Sequence, residues 1–302
     1  MGKLLIGLGA AAGVIAMACL ALISFSYRRA RTLVTPQRKP LQIDPASLRV
    51  PLEHVCFPGP RGALAAWYLP ASNGCTLVCC HGIDDNSGQW FAQMEALHLR
   101  SGYGALMFDF AGHGQSEGTL VTYGAAEQED VAAAMSYLGA RGDVDMERLG
   151  LMGLSLGAIT GTLFAARKPV FRVVVIESGF ADLQRDIAHL FHRYTGLPAF
   201  PFANLIVAMC QRITGTSLSS IRPMRVIHRI SPAAVLIISD LADTIADEPF
   251  DGEHLFAAAD EPKELWQLDG VDHVQAFPTF PHEWVERVGS FLDRYLGALS
   301  HA

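Results

Sequence analysis

Basic residues are scarce in this chain of 302 residues: 23 Lys and Arg stand against 30 Asp and Glu, for a formal net charge of -7. The body carries no basic cluster, which argues against nucleic acid as a partner, because phosphate binding needs concentrated positive charge. The six cysteines, Cys19, Cys56, Cys75, Cys79, Cys80 and Cys210, show no C-x-x-C pair. The usual zinc-site pattern is therefore absent, and nothing demands an oxidising compartment. Cys79 and Cys80 adjoin within an apolar run and read as buried free thiols. Hydrophobic residues, by contrast, make up 50% of the chain, enough for one large globular domain plus an extra segment.

Charge is missing altogether from residues 4–25. A helix of roughly 22 residues, rising about 1.5 Å per residue, crosses a hydrocarbon core of about 30 Å. Lys3 precedes this stretch, and Arg28, Arg29, Arg31, Arg38 and Lys39 follow it. The positive-inside rule then puts the following side in the cytoplasm. The expected organisation is a single-pass transmembrane anchor in residues 1–27, a juxtamembrane linker in 28–48 and a cytoplasmic globular body in 49–302. A cleaved signal peptide is the alternative, with Ala16-Met17-Ala18 as the cleavage site and a secreted or periplasmic body. Against it stand a weakly basic start and apolar residues that continue through Phe25. A lipid-modified Cys19 fits the preceding residues poorly.

In the body, short apolar runs at 55–57, 63–69, 76–80, 105–108, 149–152, 173–177, 235–239 and 264–268 read as strands. Helical patterns fall at 90–100, 125–138, 156–166, 250–259 and 283–296. This alternation predicts an α/β protein with a mostly parallel eight-stranded sheet covered on both faces, the first two strands forming an antiparallel edge hairpin. Ligands of such sheets meet the loops at the carboxyl ends of the strands. Residues 180–232 break the alternation with an insertion rich in Phe, Leu, Pro and His, far above the usual crossover length. It reads as a small helical cap lining the site, or as a packed insertion without substrate contact.

Gly153-Leu154-Ser155-Leu156-Gly157 lies between a strand and a small-residue helix. Glycines on both sides permit a sharp turn that pushes the Ser155 hydroxyl out above the sheet, near the positive end of the helix. A serine hydroxyl needs a base, itself oriented by a carboxylate. His273, in Gly270-Val271-Asp272-His273 after the last strand, is the candidate base, ahead of His254 and His282 in helical segments. Asp243 leads as the acid, with Asp240 and Asp247 as competitors, and Asp272 is expected to face solvent. His81-Gly82-Ile83 closes an earlier strand, so the Ile83 and Leu156 N–H groups are the candidate oxyanion donors. His81 reads as a loop-fixing residue. Asp84 and Asp85 border the entrance or cap the helix after Ser87. Asp109 and Ser116 read as structural, and His113 as a residue that borders the pocket.

Taken together, Cys80-His81-Gly82, the run from Phe108 to Gly118, Gly153–Gly157, Asp243 and His273 resemble the α/β-hydrolase-fold serine hydrolases over residues 52–296. Within that fold the chain is most similar to the group containing Bem46-like, serine aminopeptidase-like and monoacylglycerol lipase-like enzymes. Two positions depart from the pattern: Ser239-Asp240 stand where many relatives carry His-Gly, and Ala111 where many carry Arg. The resemblance implies a cofactor-free, metal-free Ser155–His273–Asp243 triad. The expected reaction is cleavage of a small or lipid-like carboxylic ester, with amide or thioester less favoured. A serine peptidase and a catalytically silent interaction protein on the same fold are the alternatives. A dehalogenase or epoxide hydrolase would need a carboxylate at position 155.

Overall fold

The computed structural model describes residues 2–247 and 249–297; Met1 and residues 298–302 of the expected segments lie outside the described residues. In chain order the elements are α1 Gly2–Val34, β1 Glu53–Gly59, β2 Gly62–Leu69, β3 Thr76–Cys80, α2 Phe91–Ser101, β4 Gly104–Phe108 and α3 Glu127–Gly139. There follow β5 Leu149–Leu154, α4 Leu156–Arg167, β6 Val173–Glu177, α5 Leu183–Thr195, α6 Ala199–Thr214, β7 Ala234–Asp240, α7 Phe250–Ala258, β8 Lys263–Leu268, α8 Ala276–Thr279 and α9 Pro281–Leu292.

The strands make one eight-stranded sheet in the order β1-β2-β4-β3-β5-β6-β7-β8. β1 pairs antiparallel with β2, as does β2 with β4, and the remaining pairs are parallel. Two-residue periodicity divides each central strand between two cores. Val78 and Cys80, Val174 and Ile176, and Val235 and Ile237 face one core with α3 and α4. Leu77 and Cys79, Val173 and Val175, and Leu236 and Ile238 face the other with α2 and α9. Burial on both faces is why these strands are unbroken apolar runs, and why the adjacent thiols of Cys79 and Cys80 are both buried. The register aligns Cys80 with Phe108 and with Gly153. The His81, Asp109 and Ser155 loops consequently leave the same edge of the sheet.

The N-terminal region departs from the expected partition. α1 does not give way to a linker at residue 28 but continues to Val34, carrying Arg28, Arg29 and Arg31 as helix residues. Ala30 and Val34 are fully buried, α1 packs on α6, and Tyr123 donates its hydroxyl to the Leu33 carbonyl at 2.9 Å. Burial of this apolar stripe holds the last turns helical. The segment Ala10–Val34 is long and apolar enough to cross a bilayer, with a mean hydropathy of 2.0 over its best window.

Past α1, Arg38 donates to the carbonyls of His113, Gly114, Ser116 and Gly118 at 2.6–3.2 Å. A guanidinium from the N-terminal segment thus ties the 113–118 loop. The insertion at 180–232 contains α5 and α6 followed by short 3₁₀ turns.

Candidate active site

β5 carries the chain to Ser155 and α4 leads it away, with Ser155 held between them at φ 51° and ψ -110°. A non-glycine residue in that region costs about 1–3 kcal/mol and persists only when its surroundings impose it. Here they do. A Cβ on Gly153 would collide with the Gly157 backbone, and one on Gly157 with the Cys80 carbonyl. The Ser155 N–H bonds to the Glu177 carbonyl at 2.9 Å, fixing the turn to β6.

Distant segments converge on this serine. The His273 Nε2 lies 2.9 Å from Ser155 Oγ, and its Nδ1 lies 2.6 Å from Asp243 Oδ2. The other Asp243 oxygen accepts the N–H groups of Ile245 and Ala246 at 2.6 and 2.8 Å. The Asp243 side chain is wholly buried, and the His273 side chain is 13% exposed. Such a chain can move a proton from the hydroxyl to the imidazole while the carboxylate stabilises the resulting imidazolium.

The competing residues sit elsewhere. Asp240 is buried and accepts from Ser178 Oγ and the Val274 N–H. Asp247 pairs with Arg185 at 2.6 Å. His254 bonds to the Phe250 carbonyl within α7, and His282 lies exposed on α9. Asp272 is exposed, as expected. It nevertheless accepts the His273 N–H at 2.8 Å and both the N–H and hydroxyl of Thr244 at 2.9 Å, clamping the His273 loop to the Asp243 loop. These backbone hydrogen bonds hold its carboxyl below the usual range.

A cavity of about 440 Å³ opens on Ser155 and His273 and is lined also by Ile83 and Leu156. Leu156 is the first residue of α4, so its N–H has no acceptor within the helix. Gln89 Oε1 accepts the Gly82 N–H at 2.8 Å and holds the loop bearing Ile83. His81 has the loop-fixing part expected of it: Nε2 accepts the Phe110 N–H at 2.9 Å, so the proton sits on Nδ1 and points at the Gly82 carbonyl at 2.6 Å. Burial pushes His81 down to about 4.

Asp84 and Asp85 line the cavity, whereas Asn86, not either aspartate, caps the turn at Ser87. Asp109 accepts the N–H groups of Ser87 and Gln115, and Ser116 donates to the Asp109 carbonyl. Both are structural, as read. His113 does not border the pocket. It lies buried with its ring 5.0 Å from that of His81, because the loop tied down by Arg38 turns it inward.

Sequence reasoning passed over Thr32 and Leu33 of α1, which line the cavity together with Leu190 of α5. No local signal marks them, since they enter the site only through packing of α1 on the body. It also passed over Ser178, whose strand-end position beside Glu177 was the available clue. Among the described residues no cluster of three His, Cys, Asp or Glu side chains converges to hold a metal ion.

Residues 49–269 match the profile of the X-Pro dipeptidyl-peptidase (S15) family. The chain belongs to that family. S15 membership and the sheet topology make it a hydrolase of the α/β-hydrolase fold. Among relatives, the YfhR protein of Salmonella typhimurium is 30% identical over 232 residues, covering 74% of this chain and 75% of that one. The YqkD protein of Bacillus subtilis is 26% identical over 220 residues, or 72% and 71% of the two chains. Among solved structures, the Pyrococcus furiosus esterase Pf2001 superposes with a TM-score of 0.71 at 24% identity, covering 87% of this S15 chain and 100% of its own. That likeness concerns the fold.

Proposed function

We propose that this chain is a membrane-anchored serine hydrolase that cleaves a carboxylic ester through an acyl-enzyme. The observation that carries the reading is the unbroken hydrogen-bonded series from Ser155 Oγ through His273 to Asp243, at 2.9 and 2.6 Å. Ser155 Oγ attacks the ester carbonyl carbon while His273 Nε2 accepts its proton. The Ile83 and Leu156 N–H groups hold the oxyanion. His273 then returns the proton to the departing alcohol oxygen. A water, activated in turn by His273, releases the carboxylic acid and regenerates Ser155. The apolar residues around the cavity and the apolar first half of α1, carrying arginines at its end, favour an amphiphilic ester met at a membrane surface.

A second reading, a serine peptidase, is favoured by the family match and by Asp84 and Asp85 on the cavity wall, where carboxylates would attract a free α-ammonium group. Full-length protein in detergent separates the readings. We expect a fluorophosphonate probe to label it, Ser155→Ala to abolish the label, and p-nitrophenyl esters to be turned over far faster than Ala-Pro-p-nitroanilide. The reverse preference would establish the peptidase. No labelling of folded protein would leave a silent scaffold.

A further inference from the structure

α1 is more than a tether. Its Thr32 and Leu33 lie in the wall of the Ser155 cavity, and the same two residues, with Leu190, also line a second hollow of about 380 Å³. That hollow runs between α1 and α5 and is walled by Phe25, Leu33, Ile187, Leu190, Phe191 and Ile206. Arg29 stands beside it, its guanidinium 5.6 Å from the Phe25 ring centre. The two hollows thus share Thr32, Leu33 and Leu190 as a common wall, and Phe25 of the second lies next along α1 from the exposed apolar stretch, where Val14, Ile15, Met17, Leu20 and Ile23 present their side chains outward.

A second wall of the catalytic cavity has a different character. There Asp85, Gln89, Val274 and Gln275 lead into a third hollow of about 360 Å³ bordered by Asn86 and Gln93. Amide side chains offer both donors and acceptors, as a hydroxyl-bearing leaving group requires. An apolar hollow and one that carries amide side chains, beside Ile43 and Phe277, therefore flank the cavity of Ser155.

Resting on the ester-hydrolase reading above, we infer that α1 and α5 form an acyl groove. Through it the chain of a single-chain lipid ester passes from the bilayer side to Ser155, its polar alcohol lying in the amide-bearing hollow. The occupant follows from adjacency: an apolar hollow that shares a wall with the cavity of Ser155 and lies beside a bilayer-length apolar helix matches an acyl chain in polarity. Each methylene buried there adds favourable transfer energy that a short ester lacks.

The test compares kcat/KM for p-nitrophenyl dodecanoate and butanoate, using the full chain in detergent micelles. The wild type is expected to favour dodecanoate at least tenfold. Ile187→Trp, which fills the groove from α5, and Leu33→Trp, which fills it from α1, should each lower that ratio at least tenfold. Should either bulky variant fail to fold, Ile187→Ser reads the same wall by making it polar and should lower the ratio severalfold. Leu99→Trp, exposed on α2, should leave the ratio as it is. Turnover of both esters with a ratio untouched by the Ile187 variants, or a wild-type preference for butanoate, overturns the groove alone. Absence of both turnover and fluorophosphonate labelling overturns the hydrolase reading and the groove with it.

Discussion

Val274 donates its backbone N–H to Asp240 Oδ2 at 3.0 Å, and the same oxygen accepts the Ser178 hydroxyl at 2.8 Å. Val274 follows His273 directly and is held at φ 57°. Two residues on, the Ala276 N–H bonds to Glu177 Oε1 at 3.1 Å. Two buried acids at the ends of β6 and β7 therefore fix the loop that aims the imidazole. Burial raises both carboxyls above the usual range, helped by the charge of Asp240 on Glu177 and that of Asp243 on Asp240, so the loop is held by groups that keep their protons more readily than exposed acids.

Asp240 is consequently a positioning residue. Asp240→Leu leaves the buried Ser178 hydroxyl without its acceptor, at about 1–3 kcal/mol, and leaves the Val274 N–H with Ser178 Oγ at 3.0 Å as its remaining acceptor. We expect kcat to fall about tenfold to a hundredfold with KM little changed, and Asp240→Asn, which keeps an acceptor oxygen, to restore most of it. Steady-state kinetics on a p-nitrophenyl ester decide the matter. Equal losses in both variants would mean that the charge, and not the acceptor, matters.

Asp243→Asn should behave differently. The amide can no longer accept the His273 Nδ1 proton with the Asp243 geometry, which favours the wrong tautomer at Nε2. A loss of about 10⁴ in kcat is expected, with the thermal midpoint little affected. Activity within tenfold of wild type would remove Asp243 from the proposed triad and return attention to Asp240.

Acidification should destabilise the fold through His81 and His113. Burial holds them at about 4 and about 3, whereas both titrate near 6.5 in an unfolded chain. Their stabilisation is complete above pH 6.5 and is lost as pH falls towards 4, because only the unfolded chain takes up the protons. For His81 the difference amounts to about 3 kcal/mol. Glu177 and Asp240 act in the opposite sense, losing stability as pH rises through their elevated values, so the histidine part is read by difference. Urea midpoints at pH 7 and pH 5 should fall less in His113→Leu than in wild type. Identical slopes would rule out the histidine contribution.

Arg38→Ala should free the loop at 113–118. Its four carbonyl acceptors lose one shared guanidinium, and a lysine cannot replace the planar fork. Amide hydrogen exchange in that loop is expected to quicken about tenfold in both Arg38→Ala and Arg38→Lys. Unchanged protection in either would show that the loop holds itself. By the same logic a protein starting at Leu41, which lacks Arg38 and the buried Ala30 and Val34, should be less stable than one retaining the end of α1.

Most of the sheet could be read directly, because the middle of a strand buried on both faces must be apolar, and 77–80, 149–152 and 173–176 are. The Gly153–Gly157 turn was legible for a related reason: two close backbone approaches leave room only for glycine. Choosing among Asp240, Asp243 and Asp247 was harder. All three lie close together after one strand, and their side-chain directions depend on how the loop folds over Ala246 and Asp251. His113 was misread because its glycine-rich loop carries no signal of the arginine that ties it, which lies 75 residues earlier.

The sequence alone determined the layered α/β architecture, the sharp Gly153–Gly157 turn, the late histidine and the long charge-free N-terminal stretch. These depend on local periodicity, on glycine at sterically closed positions and on composition. Tertiary structure decided that α1 runs on to Val34 and supplies part of the cavity wall. It also decided that Asp272 clamps the His273 loop and that a buried acid pair holds the residues that follow His273. Those relationships join residues far apart in the chain, and only the packing of α1 on α6 and of β6 beside β7 brings them within hydrogen-bonding or van der Waals reach.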